Sequence, residues 1–295
     1  MMLPFLSPRQ ILRLESAEQR RPPRAAYALP AFFTAGNIFL GFVAILKSIS
    51  GALLAAEGYR GSNPDFELAA KMIGLAVLLD GLDGRIARLT NTVSEFGREL
   101  DSLADAITFG LAPAVLAFVW GVQFADTSGS ALLKDHLVRA GYFVSFLFLL
   151  CGVARLARFN VTTNPVPKNP GRPDRKYFVG LPIPAAAGFV ASVVYVTDSR
   201  PVGNWMYSVA WLAVMALLSF LMVSTWRYRS FKDLNLLRPR SPLFVIVAAS
   251  VIFLIWNYSQ PVLFLLGLSY VSSGVLVRLG GLLRRRLRKQ EATSV

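Results

Sequence analysis

A chain of 295 residues of which 54% are hydrophobic and 16% charged, with a mean hydropathy of +0.50, has too little polar surface to be a soluble globule. Its net charge of +14 is spread over the ends of apolar segments instead of forming one groove, which argues against nucleic acid as a partner and for cytoplasmic loops facing anionic lipid headgroups. A single cysteine, Cys151, excludes an intramolecular disulfide, and with His136 as the one histidine the chain has no ligand set for zinc.

Residues 1–28 are basic and proline-punctuated, with Arg9, Arg13, Arg20, Arg21 and Arg24. The apolar stretch Leu3 to Leu6 is too short for a signal-peptide core, so this reads as a cytosolic or interfacial arm. Eight apolar segments follow near 31–50, 67–89, 96–120, 139–158, 180–197, 205–225, 242–258 and 260–282. Each approaches the roughly 20 residues that a bilayer core requires. The last two are separated only by Asn257 to Pro261, so they either both span or form a re-entrant pair, with Pro261 favouring a break. The links after the second, fourth and sixth segments carry Arg85, Arg88, Arg98, Arg155, Arg158, Lys168, Arg172, Arg175, Lys176, Arg227, Arg229, Lys232, Arg238 and Arg240. The opposite links offer chiefly Arg60, Lys134, Arg139 and Arg200. The excess of cations on the cytoplasmic side then places both termini there.

The expected fold is therefore all-α: a polytopic transmembrane helical bundle of about eight transmembrane helices, with both termini cytoplasmic. It divides into an arm at 1–28, a transmembrane domain at 29–282 and a basic tail at 283–295, in which Arg284, Arg285, Arg286, Arg288 and Lys289 anchor to headgroups. The proline-rich loop from Thr162 to Tyr177 has two readings, a rim over the site or a connector whose cations hold topology.

Within this apolar chain, Asp80 to Asp105 reads DGLDGRIARLTNTVSEFGRELDSLAD. At about 100° per residue, Asp80, Asp83, Gly84 and Ala87 share one helix face with Arg88 at its edge, and Gly97, Asp101, Ala104, Asp105 and Thr108 share a face of the next helix. The polar link from Thr90 to Ser94 lets the two faces meet. Four carboxylates gathered at a bilayer edge repel unless they are protonated or held by cations. Hard divalent cations such as Mg²⁺ or Mn²⁺ take oxygen ligands, and a carboxylate-bridged pair clamps a phosphoryl group. Gly84 and Gly97 leave room for a bulky ligand, and Arg88 beside the acids suits the free oxygens of a diphosphate.

The pattern Asp80-x₂-Asp83-Gly84-x₂-Ala87-Arg88-x₈-Gly97-x₃-Asp101-x₃-Asp105 resembles the signature of the CDP-alcohol phosphotransferase family at every defined position. Three further stretches resemble its serine-using branch, the CDP-diacylglycerol–serine O-phosphatidyltransferases: LPAFFTAGNIFLGFVAI at 29–45, RLARFN at 155–160 followed by FVGLPIPAAAG at 178–188, and MVSTWRYRSFKDL at 222–234. The first departs from the commoner LPN start in having Ala31. The likeness covers most of residues 29–234.

The resemblance implies transfer of a phosphatidyl group from CDP-diacylglycerol to the hydroxyl of L-serine, giving phosphatidylserine and CMP. It assigns two divalent cations, Mg²⁺ or Mn²⁺, to Asp80, Asp83, Asp101 and Asp105, with Asp105 also the general base, and the CDP moiety to Asp83, Gly84, Arg88 and Gly97. It further implies a homodimer; the expected location is a bacterial cytoplasmic (inner) membrane, among membrane lipids, with the active site facing the cytoplasm as the distribution of cations requires. A serine pocket must pair a carboxylate, and Arg155, Arg158, Asn160 and Lys232 lie at or beyond helix ends that line this side. The first two serve equally well as topology anchors. A sister enzyme using glycerol 3-phosphate, inositol phosphate or choline is the nearest alternative. A divalent-cation transporter is the alternative from another class, and it leaves Gly84, Ala87, Arg88 and Gly97 unexplained.

Overall fold

The computed structural model describes residues 24–90, 95–163, 177–229 and 242–293. Its helices are α1 (Arg24–Ala56), α2 (Pro64–Thr90), α3 (Glu95–Asp105), α4 (Ala112–Gly121), α5 (Ala131–Thr163), α6 (Ile183–Val196), α7 (Trp205–Val223), α8 (Pro242–Asn257) and α9 (Ser259–Thr293). A π-helical segment, Ala106–Leu111, joins α3 to α4 in one continuous rod. Helical rods thus stand at each of the eight expected places. The break between the last two falls at Tyr258, and Pro261 sits in the first turn of α9, where a missing N–H costs nothing.

Among the described residues, five stretches are long and apolar enough to cross a bilayer by length and composition: Phe32–Ala56, Phe96–Gly121, Ala131–Val161, Trp205–Val223 and Ser259–Arg278. Helix α6 is a shorter apolar helix. The way such a helix meets its neighbours is visible along α1, where Thr34, Asn37, Gly41, Ala44, Ser48, Gly51 and Ala55 are buried at alternating spacings of three and four. On the other side Phe32, Phe39, Phe42, Leu46, Ile49 and Leu53 are exposed. Small and polar groups face the protein and large apolar groups face outward, the reverse of a water-soluble helix and the arrangement that lets backbones pack closely in lipid.

Helix α6 lies near the centre, burying Ile183, Ala186, Ala187, Val190 and Val194 against the core that also holds Phe109, Leu116, Phe148 and Met215. One departure from an all-α fold is a two-stranded antiparallel ladder, β1 (Tyr177–Val179) with β2 (Arg227–Arg229), in the register Phe178 to Tyr228. Three residues per strand carry too short an alternation to be read from sequence. Gly180 follows β1 at φ +80°, and a Cβ there would stand 2.5 Å from the carbonyl oxygen of Met222, so the turn requires glycine. Through it Gly180 donates to Trp226 O and Leu181 to Leu221 O, tying the start of α6 to the end of α7.

At the far end from the acids, Asn63 caps α2 by accepting from the N–H groups of Asp65 and Phe66, with Pro64 at the first helical position. Its side-chain NH₂ reaches back to Gly51 O at 2.9 Å. The α1–α2 link is thereby fixed, and the chain returns down α2 to the acid-bearing end.

Candidate active site

Helix α2 delivers Asp80 from just past its middle, while α3 opens just beyond the short link and presents Asp101 and Asp105 one turn apart on one face. One carboxylate oxygen from each of Asp80, Asp101 and Asp105 lies within 4.8 Å of the other two. All three side chains are half-buried. Asp83 is one turn further along α2 and Gly84 and Arg88 follow on the same helix; their side chains lie outside the described residues. Gly97, on the first turn of α3, is half-buried.

The helix type changes immediately after Asp105, at the start of the π segment. Such one-residue expansions occur disproportionately at functional sites, because they turn side chains away from the regular α register. The segment is clasped to α1: the Thr108 hydroxyl donates to Asn37 O at 3.0 Å. Beside it the Asn37 side chain is 0% exposed, and neither its amide nitrogen nor its oxygen meets a hydrogen-bond partner among the described residues. Buried polar groups are almost always satisfied, so this amide marks the floor of the acid-bearing end as polar. Sequence reasoning passed over it. The available signal was a lone amide in the apolar run GNIFLGF.

Three carboxylates offering only oxygen donors at this spacing are the ligand chemistry of a hard divalent cation, whose oxygen ligands sit at about 2.0–2.6 Å from the ion. The residues therefore fit the expected metal, which Asp80, Asp101 and Asp105 would hold.

Of the residues expected in an acceptor pocket, α5 brings Arg155 into electrostatic reach of Asp105, Tyr270 and Arg158. Its Nε is buried and meets no acceptor among the described residues. Arg158 is exposed. Asn160 donates to Ser102 Oγ at 2.9 Å, and Ser102 in turn donates to Arg98 O, so Asn160 straps the end of α5 to α3 next to Asp101. Lys232 lies outside the described residues. Tyr270, on α9, was not anticipated, since nothing in an apolar stretch of the last helix distinguishes it.

Three acids carried by two successive helices thus converge at one end of a helical bundle, with the half-buried Arg155 in electrostatic reach of Asp105. Residues 27–256 match the CDP-alcohol phosphatidyltransferase family, and the chain belongs to it. The chain is 38% identical over 215 residues to the CDP-diacylglycerol–serine O-phosphatidyltransferase of Helicobacter pylori, covering 72% of this chain and 77% of that protein. It is 40% identical over 164 residues to the Saccharomyces cerevisiae protein of the same name, covering 56% and 52% respectively. With the archaetidylserine synthase of Methanothermobacter thermautotrophicus it shares 35% identity over 204 residues, 68% of this chain and 69% of that one.

Proposed function

We propose that this protein transfers the phosphatidyl group of CDP-diacylglycerol to L-serine, forming phosphatidylserine and CMP. The observation that carries the reading is the convergence of Asp80, Asp101 and Asp105 within 4.8 Å in a chain of this family whose curated relatives are named for the serine reaction. Asp80, Asp83, Asp101 and Asp105 would hold two divalent cations, which when bound would supply neutralisation of the diphosphate and of the departing CMP.

The chain's own groups do the rest. The serine hydroxyl oxygen attacks the phosphorus on the lipid side, the bond from that phosphorus to the CMP oxygen breaks with its electron pair going to CMP, and Asp105 takes the hydroxyl proton. Gly84 and Gly97 admit the nucleotide and Arg88 pairs a phosphate oxygen. Arg155, half-buried and in electrostatic reach of Asp105, receives the serine carboxylate. Arg158 and Lys232 add positive potential at the mouth, and Asn160 holds α5 to α3 so that Arg155 keeps its place.

The finer topology belongs to the same reading. All eight rods cross or line the bilayer, the termini and the acid cluster face the cytoplasm of a bacterial inner membrane, and residues 1–28 and 283–295 flank the domain as basic arms. A homodimer, as the resemblance implies, is the assembly that native mass spectrometry would test. The functional test is incubation of the purified protein with CDP-diacylglycerol, Mn²⁺ or Mg²⁺, and each of serine, glycerol 3-phosphate, inositol phosphate and choline. Phosphatidylserine as the product supports the reading, and a different lipid from another alcohol, with none from serine, overturns it.

A further inference from the structure

The Asn37 side chain is 0% exposed, and neither of its amide atoms meets a hydrogen-bond partner among the described residues, although buried polar groups are nearly always paired. Two separate contacts fix its level in the bundle. Helices α1 and α2 are antiparallel neighbours, and a Cβ on Gly51 would stand 2.6 Å from Phe66 Cδ1, so these two residues lie against one another. Asn37 is 14 residues before Gly51 and Asp80 is 14 residues beyond Phe66. Each therefore lies about 21 Å along its helix toward the same end, and within about 40° of the face that makes the contact. Asn37 and Asp80 stand level.

The second contact is with the rod formed by α3 and the π segment. Thr108 of this rod meets Gly41, where a Cβ would stand 2.8 Å from Thr108 Cα, and Asp105 meets Asp80, so the rod runs parallel to α1 and packs against it. One turn back from Gly41 is Asn37, and one turn back from Thr108 are Ala104 and Asp105. Ala104 is buried and offers no polar group, and the Thr108 hydroxyl is committed to Asn37 O. Both contacts bring the buried amide to the level at which Asp80 and Asp105 converge.

We propose that Asn37 is a positioning residue for the metal cluster: as the acids close on a divalent cation, its NH₂ group donates to the carboxylates of Asp80 and Asp105 and orients their other oxygens for the metal. This rests on the reading that these acids hold metal. An ionised carboxylate only accepts, and an amide supplies two N–H donors without adding a charge that competes with the cation. Outer hydrogen bonds of this kind fix ligating carboxylates, and losing one weakens metal binding about 10–100-fold.

The test is Mn²⁺ binding to the full-length protein in detergent, read by loss of the free-ion electron paramagnetic resonance signal and by thermal stabilisation. Asn37→Ala should raise the Kd for Mn²⁺ at least about tenfold. Its thermal midpoint in chelator should stay within about 4 °C of wild type, because the amide removed has no partner to lose. Saturating Mn²⁺ should restore transfer to serine, which it would not do for a lost substrate contact. Asn37→Ser, too short to reach the acids, should shift the Kd in the same direction and carries the measurement if the alanine variant does not fold. An unchanged Kd in these variants, with Mn²⁺ binding impaired in Asp101→Asn, overturns the role of Asn37 and leaves the metal reading standing. No Mn²⁺ binding by the wild type overturns both.

Discussion

Thr108 and Asn37, 71 residues apart in the chain, are joined by a 3.0 Å hydrogen bond from the threonine hydroxyl to the asparagine carbonyl. The contact fastens the first helix to the π segment that begins immediately after Asp105, so α1 takes part in aiming the acid. A Cβ on Gly41 would stand 2.6 Å from Thr108 Oγ1 and 2.8 Å from its Cα. Thr108→Val, which removes one buried hydrogen bond at nearly constant shape, should cost about 1 kcal/mol of stability. Gly41→Ala should cost more, about 1–3 kcal/mol, because backbone must move to admit the methyl. Thermal unfolding in detergent checks the order, and a Gly41→Ala variant as stable as wild type would contradict this packing.

Asp105 is expected to act chiefly on the proton. Asp105→Asn should retain CDP-diacylglycerol binding while losing transfer by at least about a hundredfold, the low end for removal of a general base. Equilibrium binding and single-turnover transfer on the same preparation separate the two effects. If nucleotide-lipid binding collapses as far as in Asp101→Asn, Asp105 is chiefly a metal ligand and the base lies elsewhere.

Much of this was legible in advance, and the reason is periodicity. Long apolar runs gave the eight rods, and the spacing of Asp80, Asp101 and Asp105 placed them on facing helical stripes because 3.6-residue geometry is local. The rest depends on contacts made in the folded chain. The π segment is indistinguishable from α-helix in AITFGL; the β1–β2 ladder pairs residues about fifty positions apart; the ring of Tyr228 packs against α9 only because Gly274 admits it.

The opposite end of the molecule supplies a pH dependence. The Lys47 ammonium donates to Asp65 at 2.7 Å and Ser50 donates to its other oxygen. The hydrogen bond from Lys47 outweighs the opposing effect of burial and, with Ser50, holds the Asp65 carboxyl below its ordinary value of 3.8. A folded-state pKa below the unfolded one means that the stabilisation is complete above the ordinary value and is lost as pH falls through the folded value. Lys47→Met should therefore lower the thermal midpoint at neutral pH, and the difference from wild type should shrink as the medium is acidified below that value. A gap that stays constant down to acid pH would show that Lys47 acts through packing alone.

Topology is tested with single cysteines in a Cys151→Ala background. Cysteine at Ser62, in the exposed α1–α2 link, should react with an impermeant thiol reagent in intact cells, and cysteine at Asn169 should react only after permeabilisation. The reverse pattern would invert the orientation deduced from the cations.

The central claim is that three converging carboxylates hold divalent metal for transfer of a phosphatidyl group to serine. The most direct measurement is the Mn²⁺ dependence of labelled-serine incorporation into lipid, taken together with Mn²⁺-induced thermal stabilisation, in the wild type and in Asp80→Asn and Asp101→Asn. The account predicts that chelator abolishes incorporation in the wild type, that added Mn²⁺ restores it, and that both variants lose turnover and metal-induced stabilisation together. Incorporation undiminished by chelator, or full activity in Asp101→Asn, would contradict it.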